Sequence, residues 1–265
     1  MNDETQDRIK TEQELLTYSG QDRVVPSADI RDYLHELHKN KREVSMRSAI
    51  PGLDFHIQTF DGGELTVISG PSGNGKTLFC QTLTSEFFRQ GKNCLWFTYE
   101  VPARQFLTQF DDPLPIFYMP LELSNNSMGW IAKKIIETKA KYGCDAVFID
   151  HLHFLIDMRS KNNIALDIGF VMREIKQLAI KYNIAIFLLA HVNRVMLEAE
   201  PDLNSLRDSA MIGCEADNVF FIWRVKDTNN EAILKIAKNR KFGVMGKKIR
   251  LRKVGKFLRE ESLYD

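Results

Sequence analysis

The rhythm of apolar and polar positions along this chain changes near residue 48. The chain before it is polar, and one stretch, residues 27–42, carries Ile30, Tyr33, Leu34 and Leu37 at helical spacing. Arg31, Asp32, Glu36 and Lys39 occupy its other face, and Ser27 behind Pro26 supplies an N-cap. A single helix cannot bury such a stripe on itself, so the pattern predicts docking on its own domain or on another subunit. Beyond residue 48, short apolar runs alternate with amphipathic stretches. Strands are predicted at 65–69, 94–99, 146–149, 184–189, 218–223, 232–237 and 248–251, and helices at 76–90, 127–142 and 164–182. Gly91 and Gly143 close the first two helices. Nearly unbroken apolar strands separated by helices predict an α/β fold, with a mostly parallel central sheet covered on both faces and an antiparallel hairpin region at its end. The expected organisation is an N-terminal segment, residues 1–44, followed by one domain over residues 45–265.

Composition adds little to this picture. With 44% apolar and 27% charged residues among 265, the chain falls in the range of soluble globular proteins. No apolar run is long enough to span a bilayer. The acidic start, Met1-Asn2-Asp3-Glu4, argues against a secretory signal or transit peptide, so the expected location is cytoplasmic (a host cytoplasm if the chain is phage-encoded). Cys80, Cys94, Cys144 and Cys214 show no metal-ligand spacing and read as reduced thiols. The net charge of +1 gives no pointer to nucleic acid, but its distribution is uneven. From Lys235 to Lys256 ten basic residues occur without one acid, a run that fits either a solvated hairpin face or a phosphate-facing surface.

The motif that changes the picture lies between the first strand and first helix of the domain: Gly70-Pro71-Ser72-Gly73-Asn74-Gly75-Lys76-Thr77, followed by Leu78. Its spacing is that of a P-loop, in which glycines let backbone amides curl around phosphates at a helix N-terminus. ATP and Mg²⁺ are the expected cofactors, with Lys76 on the β- and γ-phosphates and Thr77 on the metal. Asp150 closes the run Ala146-Val147-Phe148-Ile149 and is the expected second metal residue. Glu100 follows the strand at 94–99, where an acid either terminates the strand or polarises an attacking water. His191 follows the strand at 184–189, either as a satisfied polar residue or as a sensor of the γ-phosphate. The Asn193-Arg194 that comes next favours the sensor.

An ordered series then resembles the motor domain of DnaB-family, RecA-like replicative helicases, including phage primase–helicases and mitochondrial Twinkle. The series is Asp150-His151, Ala190-His191-Val192-Asn193-Arg194, Leu206-Arg207-Asp208-Ser209, Glu215-Ala216-Asp217-Asn218-Val219 and Ala237-Lys238-Asn239-Arg240, and the similarity runs from about residue 48 to 253. The resemblance implies that Glu100 is the catalytic base, His191 the phosphate sensor, and Lys238 with Arg240 a basic pair reaching the neighbouring subunit's site, Arg240 as arginine finger. It implies that segments 158–163 and 193–208, with Arg159, Lys161, Arg194 and Arg207, hold single-stranded DNA in a central channel. The helix at 27–42 resembles the linker that docks on the adjacent subunit of a hexameric ring. Implied partners are single-stranded DNA, further copies of the chain, and a primase or helicase loader, with no membrane. Residues 1–44 leave no room for a primase or full collar domain, so ring assembly or loading is expected to need help. The channel segments also carry acids, Glu198, Glu200 and Asp202, beside those cations. The implied activity is ATP-driven translocation on single-stranded DNA with duplex unwinding. Two other readings remain: a recombinase- or KaiC-like ATPase that does not unwind, and a degenerate subunit that binds nucleotide only to hold an assembly together. The series at 207–209 and 238–240 opposes the first, and the intact Lys76, Thr77, Glu100 and Asp150 set opposes the second.

Overall fold

The structure, a computed structural model, describes residues 14, 16, 24–31, 43–156, 164–191, 200–206, 210–226, 228 and 230–261. The chain divides into two compact units, Met1–Glu43 and Val44–Asp265. In the first, residues 27–31 are helical. Tyr33, Leu34 and Leu37 of the expected stripe lie outside the described residues, as do Arg159, Lys161, Arg194 and Arg207.

The second unit is an α/β domain on an eight-stranded sheet. Its strands are β3 (Leu65–Gly70), β4 (Cys94–Thr98), β5 (Ala146–Asp150), β6 (Ala185–His191), β7 (Asn218–Arg224), β8 (Glu231–Asn239), β9 (Lys247–Val254) and β10 (Phe257–Glu260). Their spatial order is β10-β9-β8-β7-β3-β6-β5-β4. Strands β7, β3, β6, β5 and β4 run parallel, and β8, β9 and β10 continue antiparallel as a meander. The hairpin region therefore extends the sheet rather than standing apart from it. A separate two-stranded ribbon pairs β1 (Ser45–Met46) with β2 (Phe60–Asp61) around the short helix α1 (Pro51–Ile57).

Alternation along the parallel strands feeds two cores. On β5, Ala146 and Phe148 face one side while Val147 and Ile149 face the other; on β6, Phe187 and Leu189 oppose Ile186 and Leu188. One face is covered by α2 (Lys76–Arg89), whose Phe79, Cys80, Leu83 and Phe87 join Trp96, Phe148 and Phe187. The short helix α3 (Ala103–Leu107) adds Phe106 on this side. Ring contacts run through this core, with Phe148 stacked at 4.6 Å on both Trp96 and Phe187. The other face is covered by α4 (Met128–Tyr142), α5 (Ile164–Tyr182) and α6 (Ala210–Glu215) through Ile131, Ile135, Ile168, Met172, Ile175 and Ile212. Ser127 caps α4 by accepting from Trp130 N, and α5 ends where Asn183 takes a positive φ of 47°.

The basic stretch of β8–β10 is largely neutralised from outside itself. Lys235 and Lys248 share Glu200, Lys241 pairs with Asp61, Arg240 with Asp217, and Arg250 and Arg252 with Glu231 and Glu261. Acids outside the run, Glu231 and Glu261 flanking it and Asp61, Glu200 and Asp217 farther off in sequence, convert what reads as a single-sign run into a mixed surface.

Candidate active site

The site is built where the parallel strands β3, β4, β5 and β6 end. β3 runs into the glycine-rich turn, and Gly70 has φ 151° with Ile222 O so close that a Cβ there would lie 2.0 Å from it. Only glycine lets β3 turn this tightly against β7. The turn ends at Gly75, left-handed at φ 102°, which serves as N-cap of α2 and leaves the first helical amides pointing into the loop. Asn74 ties the loop down: its Oδ1 accepts from Arg224 N at 2.9 Å and its Nδ2 donates to Ser72 O at 3.0 Å.

Lys76 is almost fully buried, and its Nζ donates to Gly70 O at 2.9 Å and Pro71 O at 3.0 Å. Burial pulls its ammonium pKa down, against the opposing charges of Glu100 and Asp150. The Thr77 hydroxyl donates to Asp150 Oδ2 at 2.8 Å. Asp150 closes β5 and is 2% exposed, so burial lifts its carboxyl pKa to about 6; the Glu100 charge adds to this, while the Thr77 hydrogen bond and Lys76 work against it. Its second oxygen, Oδ1, is buried with no hydrogen-bond partner among the described residues. A hydroxyl beside a carboxylate with an unsatisfied oxygen is a hard oxygen donor set that suits Mg²⁺.

Glu100 stands just past β4, which ends at Thr98, two residues short of it. The Thr98 hydroxyl donates to Val101 O at 2.6 Å and closes the bend, and Tyr99 N donates to Asp150 O at 2.8 Å, holding this bend beside the end of β5. The Glu100 carboxylate is partly exposed and lies 3.9 Å from Nε2 of both His151 and His191. Burial, with His191 and His153 nearby, drives the His151 pKa down to about 3, so its approach to Glu100 is that of a neutral imidazole rather than an ion pair.

A cavity of about 500 Å³ joins these parts; Ser72, Gly73, Gly75, Lys76, Thr77, Leu78, Glu100 and His191 all line it. Its remaining wall was not apparent from the motifs. Gln81 and Gln109, hydrogen-bonded to one another at 2.9 Å, together with Arg224, Lys253 and Lys256, complete the lining. The two lysines are the far end of the basic run, and of all its members only these reach the cavity, so the phosphate-facing reading applies to that end alone.

Lys238 and Arg240 do not line this cavity. Lys238 Nζ donates to Gly213 O at 2.7 Å and Ala216 O at 2.8 Å, capping the end of α6, and burial lowers its pKa. Arg240 donates to Asp217 Oδ1 at 3.0 Å and Cys214 O at 2.7 Å while remaining half exposed. Asp217 lies immediately before β7, so both cations sit at the opposite end of that strand from Arg224.

A family model described as the DnaB-like helicase C terminal domain matches residues 118–259, more than half of the chain, and a KaiC ATPase model matches residues 46–113. The chain is 27% identical over 243 residues to the replicative DNA helicase DnaB of Mycoplasma pneumoniae, covering 75% of this chain and 50% of that protein. It is 28% identical over 130 residues to a probable plasmid replicative DNA helicase of Chlamydia psittaci, covering 46% and 28%. The chain thus spans about half the length, or less, of these curated relatives. Among solved structures, one described as an ATPase domain superimposes with a TM-score of 0.74 at 16% identity, covering 89% of this chain and 98% of that one. A DnaB-like replicative helicase described with its interactions with primase gives a TM-score of 0.72 at 18% identity, covering 97% and 72%. These likenesses establish the RecA-like fold of DnaB-type ATPase domains.

Proposed function

The chain belongs to the DnaB-like helicase family, and from that premise we propose that it is an ATP-hydrolysing motor that moves along single-stranded DNA and unwinds duplex during replication. The observation that carries the proposal is the convergence of Lys76, Thr77, Glu100 and His191 on one cavity, with Asp150 hydrogen-bonded behind Thr77. In this reading the amides of the loop and the Lys76 ammonium hold the β- and γ-phosphates. Thr77 and Asp150 hold Mg²⁺, which neutralises charge on the phosphate oxygens when bound. Glu100, at the cavity wall, takes the proton of the attacking water, and His191 registers the γ-phosphate. Arg224, Lys253 and Lys256 lie on the same wall, where their charge complements a polyphosphate.

Arg240 and Lys238 act on the nucleotide of the next subunit in a hexameric ring, since in their own chain they lie away from the cavity. Single-stranded DNA is held by segments 158–163 and 193–208 through Arg159, Lys161, Arg194 and Arg207. The helix at 27–42 docks on a neighbouring subunit, and a primase or loader is the expected partner. The structural neighbour described with primase supports that partner by analogy.

The test is Glu100→Gln, which keeps shape and removes the base. ATP should bind and persist, with turnover falling by a factor on the order of a hundred to ten thousand. Wild-type turnover in this variant places the base elsewhere. The KaiC model matching residues 46–113 keeps a second reading open, a ring ATPase without unwinding. Strand displacement on a forked DNA separates the two.

A further inference from the structure

Glu100, His151 and His191 come from three different strand ends, yet their ligating atoms all lie within 4.8 Å of one another. The Glu100 Oε2 atom is the hub, at 3.9 Å from each imidazole Nε2. The two rings stand nearly perpendicular, 79° apart with centroids at 4.3 Å, so both can turn a nitrogen towards one point. A third imidazole, His153, lies with its centroid 5.4 Å from that of His151 and 6.2 Å from that of His191. Two nitrogens and one carboxylate oxygen match borderline divalent metals of the zinc class and select against Mg²⁺, which prefers oxygen. Ligand bonds of about 2.0–2.2 Å leave tetrahedral donors roughly 3.4 Å apart, so the three groups must close by about half an ångström to somewhat over one. Glu100 is partly exposed on a bend and can supply the half ångström on its side, and the closure between the two imidazoles falls to rotation of the rings themselves.

One feature opposes binding. His151 Nδ1 accepts from His153 N at 3.3 Å, and ligation through Nε2 puts the ring proton on Nδ1 and gives up that long contact. The resulting site is open and displaceable rather than structural.

We propose that Glu100, His151 and His191 form a binding site for a zinc-class divalent metal, distinct from the oxygen-ligand Mg²⁺ position at Thr77 and Asp150, and that its occupation withdraws the Glu100 carboxylate and halts turnover. The inhibitory consequence rests on the proposed function; the binding site does not. His151 is the residue that separates them, because it belongs to the metal cluster and does not line the nucleotide cavity.

The experiment uses the untagged full chain, nucleotide-free and chelator-treated, titrated with Co²⁺ as a spectroscopic probe and then with Zn²⁺. One equivalent of Co²⁺ per chain should give visible ligand-field absorption that Zn²⁺ bleaches. His151→Gln and His191→Gln should each weaken binding by about tenfold or more, and nucleotide binding by His151→Gln verifies that this variant is folded. In the turnover assay at saturating Mg²⁺·ATP, Zn²⁺ should inhibit the wild-type chain, and inhibition of His151→Gln should need about tenfold more zinc. No Co²⁺ binding, binding unmoved by both histidine variants, or binding lost only in Asp150→Asn would each overturn the site. A chain that binds Co²⁺ as described yet never hydrolyses ATP would leave the metal site standing and remove the ATPase reading.

Discussion

Asp150→Asn tests the electrostatic cost of the site directly. In the folded, metal-free chain the Asp150 carboxyl pKa is pushed up to about 6 from 3.8, chiefly by burial. A raised folded pKa means that the folded state binds the proton more tightly than the unfolded state. The stability linked to that proton is fully present below the unfolded value of 3.8 and is lost as pH rises through about 6. At about pH 7 the loss amounts to about 3 kcal/mol, since a tenfold change in proton affinity is worth about 1.4 kcal/mol. Asparagine carries no charge and keeps an oxygen for the Thr77 hydroxyl, but its amide enters the pocket of the partnerless Oδ1 at a cost of about 1–2 kcal/mol. The net expectation is a metal-free variant about 1–2 kcal/mol more stable than wild type at about pH 7, each kcal/mol raising Tm by roughly 2–4 °C in a domain of this size. Urea melts followed by tryptophan fluorescence in the presence of a chelator give the comparison at about pH 5, 6 and 7. The advantage of the variant should shrink by about 1 kcal/mol between about pH 7 and pH 5. With Mg²⁺ and a non-hydrolysable nucleotide the order should reverse, because ligand binding adds stability only where the metal position is intact. A pH-independent difference, or a variant less stable than wild type at about pH 7, would refute the reasoning.

Four further substitutions probe other parts of the site. Arg240→Ala and Lys76→Ala should each be nearly inactive, the first with ATP binding preserved, because an arginine finger is worth on the order of a thousandfold or more in rate. Mixing the two proteins should restore part of the ATPase at interfaces that pair an intact Lys76 with an intact Arg240, whereas a co-assembled but inert mixture would count against action in trans. Asn74→Ala unties the glycine-rich loop from Arg224 N and should raise KM for ATP by about 2–10-fold, the worth of one such hydrogen bond, with little change in kcat; isothermal titration with a nucleotide analogue checks the binding part. Gly70→Ala forces a Cβ against Ile222 O and should cost about 2–4 kcal/mol in denaturant melts, and unchanged stability would mean that β7 yields at that point.

What the sequence made legible follows from where the information lies. The parallel strands and their helices could be read because each is a contiguous run whose period is set locally, and the boundaries agree closely: 164–182 is Ile164–Tyr182, and 65–69 is Leu65–Gly70. The glycine-rich loop and Asp150 were legible because loop geometry and a strand-closing acid are also local. The rest of the cavity was not. Gln109, Arg224, Lys253 and Lys256 reach it only because the β7–β10 meander and the segment after α3 fold around one opening, and no spacing encodes that. The fate of the basic run was equally hidden, since its neutralising partners Asp61, Glu200 and Asp217 lie well outside it in sequence. The short elements β1, β2, α1, α3 and β10 carry too few residues to show a period.

The antiparallel pairing of β7 and β8 has a mechanical consequence. Arg224, at the cavity, pairs with Ala232, whereas Asn218, at the far end of β7, pairs with Asn239 beside Arg240. The seven residues of β7 span roughly 20 Å and pair with β8 from end to end, with one register irregularity between Val219 and Phe220. Asn74 clamps one end of this rod to the loop that holds phosphate, and the other end presents the cation proposed to meet the next subunit's nucleotide. Under that assignment, a shift of the loop as phosphate leaves is passed along the strand towards Arg240. The hairpin then acts as a connecting rod between successive firing chambers, and a lesion at its middle, far from either nucleotide, should desynchronise them without emptying either one.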